Sequence, residues 1–100
     1  MTIYYVATNG NDSASGASNS PFRTISQALN ANLKAGDEIV VRSGTYNESL
    51  DINKGGTAAG DITLRSEVPG GAVIKAANGY NAISVNANYV TVDGFEIYGA

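Results

Sequence analysis

Apolar and polar positions alternate with period two through the second half of this chain. Ile39 and Val41 fall on one parity, and Glu38, Val40 and Arg42 on the other, which is the pattern of a half-buried strand. A turn sequence, Ala35-Gly36-Asp37, precedes the run and Ser43-Gly44 follows it. The unit returns twice. Gly60-Asp61 leads into Ile62-Thr63-Leu64-Arg65-Ser66, and Tyr89-Val90-Thr91-Val92-Asp93 ends at Gly94. The spacings, roughly 23 and 28 residues, suit one coil of a solenoid. Aligned this way, Ile62 and Leu64 repeat the inward pair Ile39 and Val41. Arg42, Arg65 and Asp93 then share one outward position on successive rungs.

Between these units lie further short apolar sets: Tyr46, Leu50 and Ile52; Val73 and Ile74; Ile83 and Val85; Phe95 and Ile97. Asn53 to Gly60 and Pro69-Gly70-Gly71 read as turns between them. Strands this short and this dense predict an all-β solenoid, a parallel β-helix of two to three coils. Its inward aliphatics stack about 4.8 Å apart. A β-sandwich competes, but it wants longer strands and hairpin turns, of which Asn78-Gly79 offers one. The recurrence of the Gly-Asp strand unit favours the solenoid.

The first third of the chain is patterned differently. Ile3 to Thr8 is aromatic and β-branched, apolar at both parities, and reads as a strand covered on both faces. Asn9 to Pro21 is a loop of small polar residues. Phe22 to Leu33 reads as the one helix, with Phe22, Ile25, Leu29 and Leu33 forming a single apolar stripe. Ser20 is the expected cap, Pro21 the first helical residue, and Ala35-Gly36 the stop. About three turns of helix are marginal alone, so the stripe must cover something apolar. Residues 1–36 are therefore expected to form an N-terminal cap of strand, loop and capping α-helix, and residues 37–100 the first coils of one continuous domain.

Composition narrows the chemistry. The 100 residues allow one domain with a modest core. Cysteine and histidine are absent, which removes disulfides, thiolate catalysis, histidine zinc sites and imidazole triads. A net charge of −3 gives no basic footprint for nucleic acid. No apolar run is long enough to cross a bilayer, so no membrane partner is expected. No secretory leader is visible ahead of Ile3.

Several segments carry a family resemblance: Tyr4 to Asp12, Ser20-Pro21-Phe22-Arg23-Thr24-Ile25, Ala35-Gly36-Asp37, Gly44-Thr45-Tyr46 and Val92-Asp93-Gly94-Phe95. In this order they resemble the N-terminal portion of secreted right-handed parallel β-helix proteins, the pectate-lyase-like polysaccharide lyases of family nine and their relatives. The resemblance covers nearly the whole chain. It implies an extracellular, carbohydrate-active parent protein, a lyase or epimerase on acidic polysaccharide, in which this stretch is a non-catalytic cap. In such lyases the cleft, the calcium-binding aspartates and the proton-abstracting base lie in later coils. Calcium is thus implied for the parent and no cofactor for this stretch, and no catalytic residue carries over. The alternative is a binding or structural β-helix: an adhesin, a phage tail component or an engineered scaffold.

The candidate binding residues are few. Arg42, Arg65 and Asp93 form the expected outward ladder; a guanidinium fork matches a sugar carboxylate, and a surface ion-pair ladder is the plainer reading of the same residues. Asn9, Asn11 and Asp12 crowd oxygen ligands suited to calcium, although the spacing also suits an Asx-turned loop. Lys34, Lys54 and Lys75 read as solvated surface lysines, Glu48 finds no partner in sequence, and Asp37 and Asp61 read as turn residues. The last strands, Val90 to Tyr98, resemble a coil interior, so the chain is expected to associate with itself through that open coil.

Overall fold

The computed structural model describes residues 2–76 and 82–98. Among these residues, nine strands and one short helix follow in the order β1 (Ile3–Val6), α1 (Ile25–Leu29), β2 (Glu38–Val41), β3 (Gly44–Asn47), β4 (Leu50–Ile52), β5 (Ile62–Ser66), β6 (Ala72–Lys75), β7 (Ile83–Val85), β8 (Val90–Asp93) and β9 (Glu96–Tyr98). They wind into three parallel sheets, ordered β1-β2-β5-β8, β3-β6-β9 and β4-β7. Each strand pairs with the one that occupies its place a coil later, which is the parallel β-helix that the sequence predicts. The Asn78-Gly79 pair lies outside the described residues.

Period-two alternation explains the core. Tyr4, Ile39, Leu64 and Val92 occupy one register position of the first sheet, and Tyr46, Ile74 and Ile97 one position of the second. Ile39, Leu64, Tyr46, Ile74, Leu50 and Ile52 are all buried. Burial loosens along the coils, and Val92 is only half-buried while Ile97 is exposed. Turns between strands are tight. Gly36 takes φ 86° ahead of β2, a left-handed conformation that glycine adopts without strain. At Gly44, with φ 148°, a Cβ would sit 2.5 Å from Thr8 Cγ2, so a side chain there would be strained and would have to displace the Thr8 methyl.

The register departs from the sequence alignment by two residues. Ile39 pairs with Leu64 and Val40 with Arg65, not Ile39 with Ile62. A slip of two preserves which face each side chain takes, so the inward and outward sets survive while the rung neighbours change. Arg65 does sit beside Asp93, but Arg42 lies beyond the end of β2. The inward position next to Val41 is filled by Ser66. Buried there, Ser66 Oγ donates to the Val68 carbonyl at 2.5 Å and accepts from Ala72 N at 3.1 Å.

The N-terminal segment is also built differently from its prediction. The helix has five residues, and its N-cap is Thr24, whose hydroxyl accepts from Gln27 N at 3.2 Å. Phe22 cannot begin a helix because its backbone is committed to β1. Its N–H donates to Tyr5 O and its carbonyl accepts from Ala7 N, both at 2.9 Å. Ser20 instead closes a turn with Ala17. The apolar stripe is nevertheless used: Phe22, Ile25 and Leu29 are buried, and Leu33 is half-buried against the same cluster. The first strand ends at Val6, and its two faces are unequally covered. Tyr4 stacks on Phe22 with centroids 6.1 Å apart, Tyr5 lies under the Arg42 guanidinium at 5.1 Å, and Ile3 stays exposed.

Candidate functional site

Three outer faces present polar side chains, one for each sheet. On the β1-β2-β5-β8 face the expected arginine ladder is replaced by internal pairing. Arg65 Nε meets Glu38 Oε1 at 3.1 Å. Arg42 Nε stands 3.8 Å from Glu67 Oε2, and its NH2 group donates to Ser18 O at 2.9 Å. With Tyr5 beneath it, Arg42 fastens the N-terminal loop to the first coil. These pairs are partly solvated, so each is worth well under about 1 kcal/mol. Asp93 is exposed beside Arg65 in register. The ion pair that Arg65 makes runs to Glu38, so Arg42, Arg65 and Asp93 do not converge on one carboxylate-sized site.

Asn9, Asn11 and Asp12 belong to the loop. Asp12 Oδ1 accepts from Arg23 N at 2.9 Å and Thr24 N at 2.8 Å, and Oδ2 from Thr24 Oγ1 at 3.0 Å. Asn11 Oδ1 accepts from Ser13 N at 2.8 Å, and Asn9 is exposed. A calcium shell needs oxygens converging on one point. Here the Asn11 and Asp12 oxygens turn to different amides, which fits an Asx-turned loop. Among the described residues no three carboxylates gather where a metal ion could sit.

Two carboxylates that sequence reasoning could place only in part have structural posts. Asp37 is buried and accepts from Thr2 N at 2.8 Å and Lys34 N at 2.9 Å. Burial pushes its carboxyl up, but those two bonds and the nearby charge of Lys34 hold it below the usual carboxylate range. Glu48 takes the start of α1, accepting from Ile25 N at 2.9 Å, Ser26 N at 3.0 Å and Ser26 Oγ at 2.7 Å. The other end of that helix is met by Lys54, whose ammonium donates to Ala31 O at 2.9 Å and Asn30 O at 3.3 Å. Lys54 is thus a helix-end ligand and not only a solvated lysine. These partners are some twenty residues from the helix in sequence, so no local signal marks them.

The β4-β7 face presents a short run of hydroxyl, carboxylate and amide groups. Asp51 lies beside Ser84 in register. One step further, Asn86 Nδ2 donates to Asn53 Oδ1 at 3.4 Å. A shallow groove of ≈ 250 Å³ continues this face toward α1, lined by Ser26, Leu29, Asn30, Ser49, Asp51 and Asn53. Such a lining offers alternating donors and acceptors with little apolar surface, the chemistry that matches sugar hydroxyls. Sequence reasoning missed it, although Asp51-Ile52-Asn53 and Ser84-Val85-Asn86 repeat a polar–aliphatic–Asn unit in successive coils.

Comparison with known proteins decides the family. Residues 4–100 match the family described as Pel9A-like, right handed beta helix region. The chain belongs to the Pel9A-like right-handed β-helix family. This Pel9A-like β-helix is 37% identical over 78 residues to the uncharacterized protein YwoF of Bacillus subtilis (strain 168), covering 78% of this chain and 16% of that one. Among solved structures it resembles XylC in complex with xylose, at 34% identity and TM-score 0.66 over 73% of this chain and 11% of that one. A rhamnogalacturonan lyase shares its fold at TM-score 0.79 and 21% identity, over 97% of this chain and 28% of the lyase. The GH136 lacto-N-biosidase from Eubacterium ramulus does so at TM-score 0.78 and 17% identity, over 98% and 20%. The Pel9A-like chain therefore spans less than a third of each of these proteins. It is a right-handed β-helix domain, and that fold is shared by the rhamnogalacturonan lyase and the lacto-N-biosidase. No helix among the described residues is long and apolar enough to cross a membrane.

Proposed function

We propose that this chain is the non-catalytic N-terminal capping portion of a secreted carbohydrate-active β-helix protein, a lyase or epimerase acting on acidic polysaccharide. The observation that carries the reading is the way α1 is built onto the first coil. Its apolar side, Ile25, Ala28 and Leu29, is buried against β1 and β4, and Glu48 and Lys54 of that coil hold its two ends. A terminal element of this kind shields the end of a stack whose interior would otherwise meet water. Membership of the Pel9A-like family and the fold shared with a rhamnogalacturonan lyase support the substrate class. Calcium, in this reading, is held by later coils of the longer protein.

Lyase chemistry needs a base beside a neutralised uronate carboxylate. The carboxylates and cations described above are instead mostly occupied with helix ends, turns and one another. The test is to incubate the hundred-residue chain, and separately a longer protein that contains it, with polygalacturonate, alginate and rhamnogalacturonan plus calcium. The absorbance of unsaturated products is then followed. The expected result is product from the longer protein and none above a buffer blank from this chain. Product from this chain would overturn the non-catalytic reading, and a longer protein inactive on every substrate would favour a structural β-helix.

A further inference from the structure

We infer that the outer face of the β3-β6-β9 sheet is a binding surface for an acidic saccharide, with Arg23 and Lys75 taking two carboxylates of the same saccharide. The inference rests on the substrate class proposed above and assigns it a place. Its starting point is the distribution of cations. Arg42 and Arg65 each face a glutamate, and Lys54 is bound to helix carbonyls. Among the described residues, Arg23 and Lys75 have no carboxylate within ion-pair distance; Lys75 stands on this face, and Arg23, just before α1, borders it across a groove shared with β3. Lys34 also lacks one, but it stands by itself at the turn before β2.

The fold brings the two together through Asn47. Arg23 lines a groove of ≈ 390 Å³ with Thr24, Thr45 and Asn47, and Asn47 is the register neighbour of Lys75. Asn47 is exposed because Tyr46, between it and Thr45, points inward and is buried. Glu48 reaches the same groove, but its oxygens already accept from two helix amides and a hydroxyl, so its charge is partly answered before any ligand arrives. One rung beyond Lys75 lies Tyr98, half exposed, with the ammonium 6.0 Å from its ring centroid. Its hydroxyl donates to Glu96 at 2.6 Å.

This column therefore presents a guanidinium, an amide with the Thr45 hydroxyl, an ammonium and an aromatic edge along the solenoid axis, with Glu48 and Glu96 as its carboxylates. Rungs are about 4.8 Å apart, close to the length of one pyranose unit, so an extended saccharide lying along the axis meets one rung per sugar. The guanidinium fork suits a uronate carboxylate, the amide and hydroxyl suit ring hydroxyls, and the tyrosine suits an apolar sugar face.

The experiment is an NMR titration of the 15N-labelled hundred-residue chain with trigalacturonate at low salt, repeated with Arg23→Gln and Lys75→Gln. Both side chains are exposed, and amide spectra of the variants check the fold directly. We expect shifts at residues 23–24, 45–48 and 73–75, an affinity at least fivefold lower in each variant, and loss of binding in high salt. Maltotriose, which lacks carboxylates, should bind at least fivefold more weakly than trigalacturonate. Absence of binding, or affinity unchanged in both variants, would overturn the site. Shifts confined to 51–53 and 84–86 would also overturn it while leaving the broader substrate class standing, since that class is judged by the activity of the longer protein.

Discussion

Asp37 and Tyr46 are buried polar side chains whose surroundings set opposite preferences for the proton. The Asp37 carboxyl is held below its ordinary value, so its contribution to stability is complete above that value and is lost as pH falls through the folded-state pKa. Asp37→Asn replaces one acceptor oxygen by a donor facing Thr2 N or Lys34 N. It is expected to cost about 1–3 kcal/mol at neutral pH and to flatten the acid limb of a urea-midpoint profile between pH 2 and 5. Tyr46 behaves conversely. Burial, with the nearby charge of Glu48, pushes its phenol up to about 12, and the hydroxyl donates to Arg42 O at 2.8 Å. The stability it adds is complete below the ordinary tyrosine value of 10.0 and is lost as pH rises from there through about 12. Tyr46→Phe should lose about 1 kcal/mol at pH 7 and show a shallower alkaline decline than wild type; parallel alkaline profiles would refute the assignment. The role of Asp37 was legible in sequence, since an aspartate after glycine at a strand entry is a familiar turn ligand. The burial of Tyr46 followed from alternation, but its bond to a carbonyl four residues earlier did not.

At the scale of elements, α1 exists because of its surroundings. Five residues do not sustain a helix in water; burial of Ile25, Ala28 and Leu29 and the two charged ligands at its ends supply what propensity lacks. Ile25→Ala and Leu29→Ala are each expected to cost roughly 2–5 kcal/mol. Glu48→Ala, which removes three bonds at a half-buried site, should cost on the order of 1–2 kcal/mol. Denaturant midpoints check all three, and unchanged midpoints would show that the helix is not integral to the first coil. The stripe Phe22, Ile25, Leu29 revealed which residues are buried but overstated the helix, because an extended residue bonded to β1 can satisfy the same stripe. Strand faces were legible for the same reason that register was not. A period of two fixes parity, whereas rung partners depend on how many residues each turn consumes, and slips of two leave parity untouched. Arg42 illustrates the difference: its outward face was readable, but its partner Glu67 was not.

At the scale of the molecule, the two ends of the coil stack are unlike. The free edge of β1 is occupied: Tyr5 N donates to Gly16 O at 2.7 Å, Tyr5 O accepts from Phe22 N, and Ala7 N donates to Phe22 O. The opposite end carries half-exposed Val85, Ile97 and Tyr98 along strand edges able to pair with another chain. We expect the hundred-residue chain to associate through that end. Sedimentation across a wide concentration range should show self-association that Ile97→Lys suppresses; a wild type as monomeric as the variant would refute it. The covered β1 edge has a consequence for how such association grows. Filament growth by stacking requires that each added subunit offer a fresh acceptor edge to the next. In a tail-to-tail pair of this chain the covered β1 edges would face outward, so the first sheet would offer a third chain no open strand. By filling the free edge of β1, Gly16 and Phe22 would act as a chain stopper for growth through that sheet.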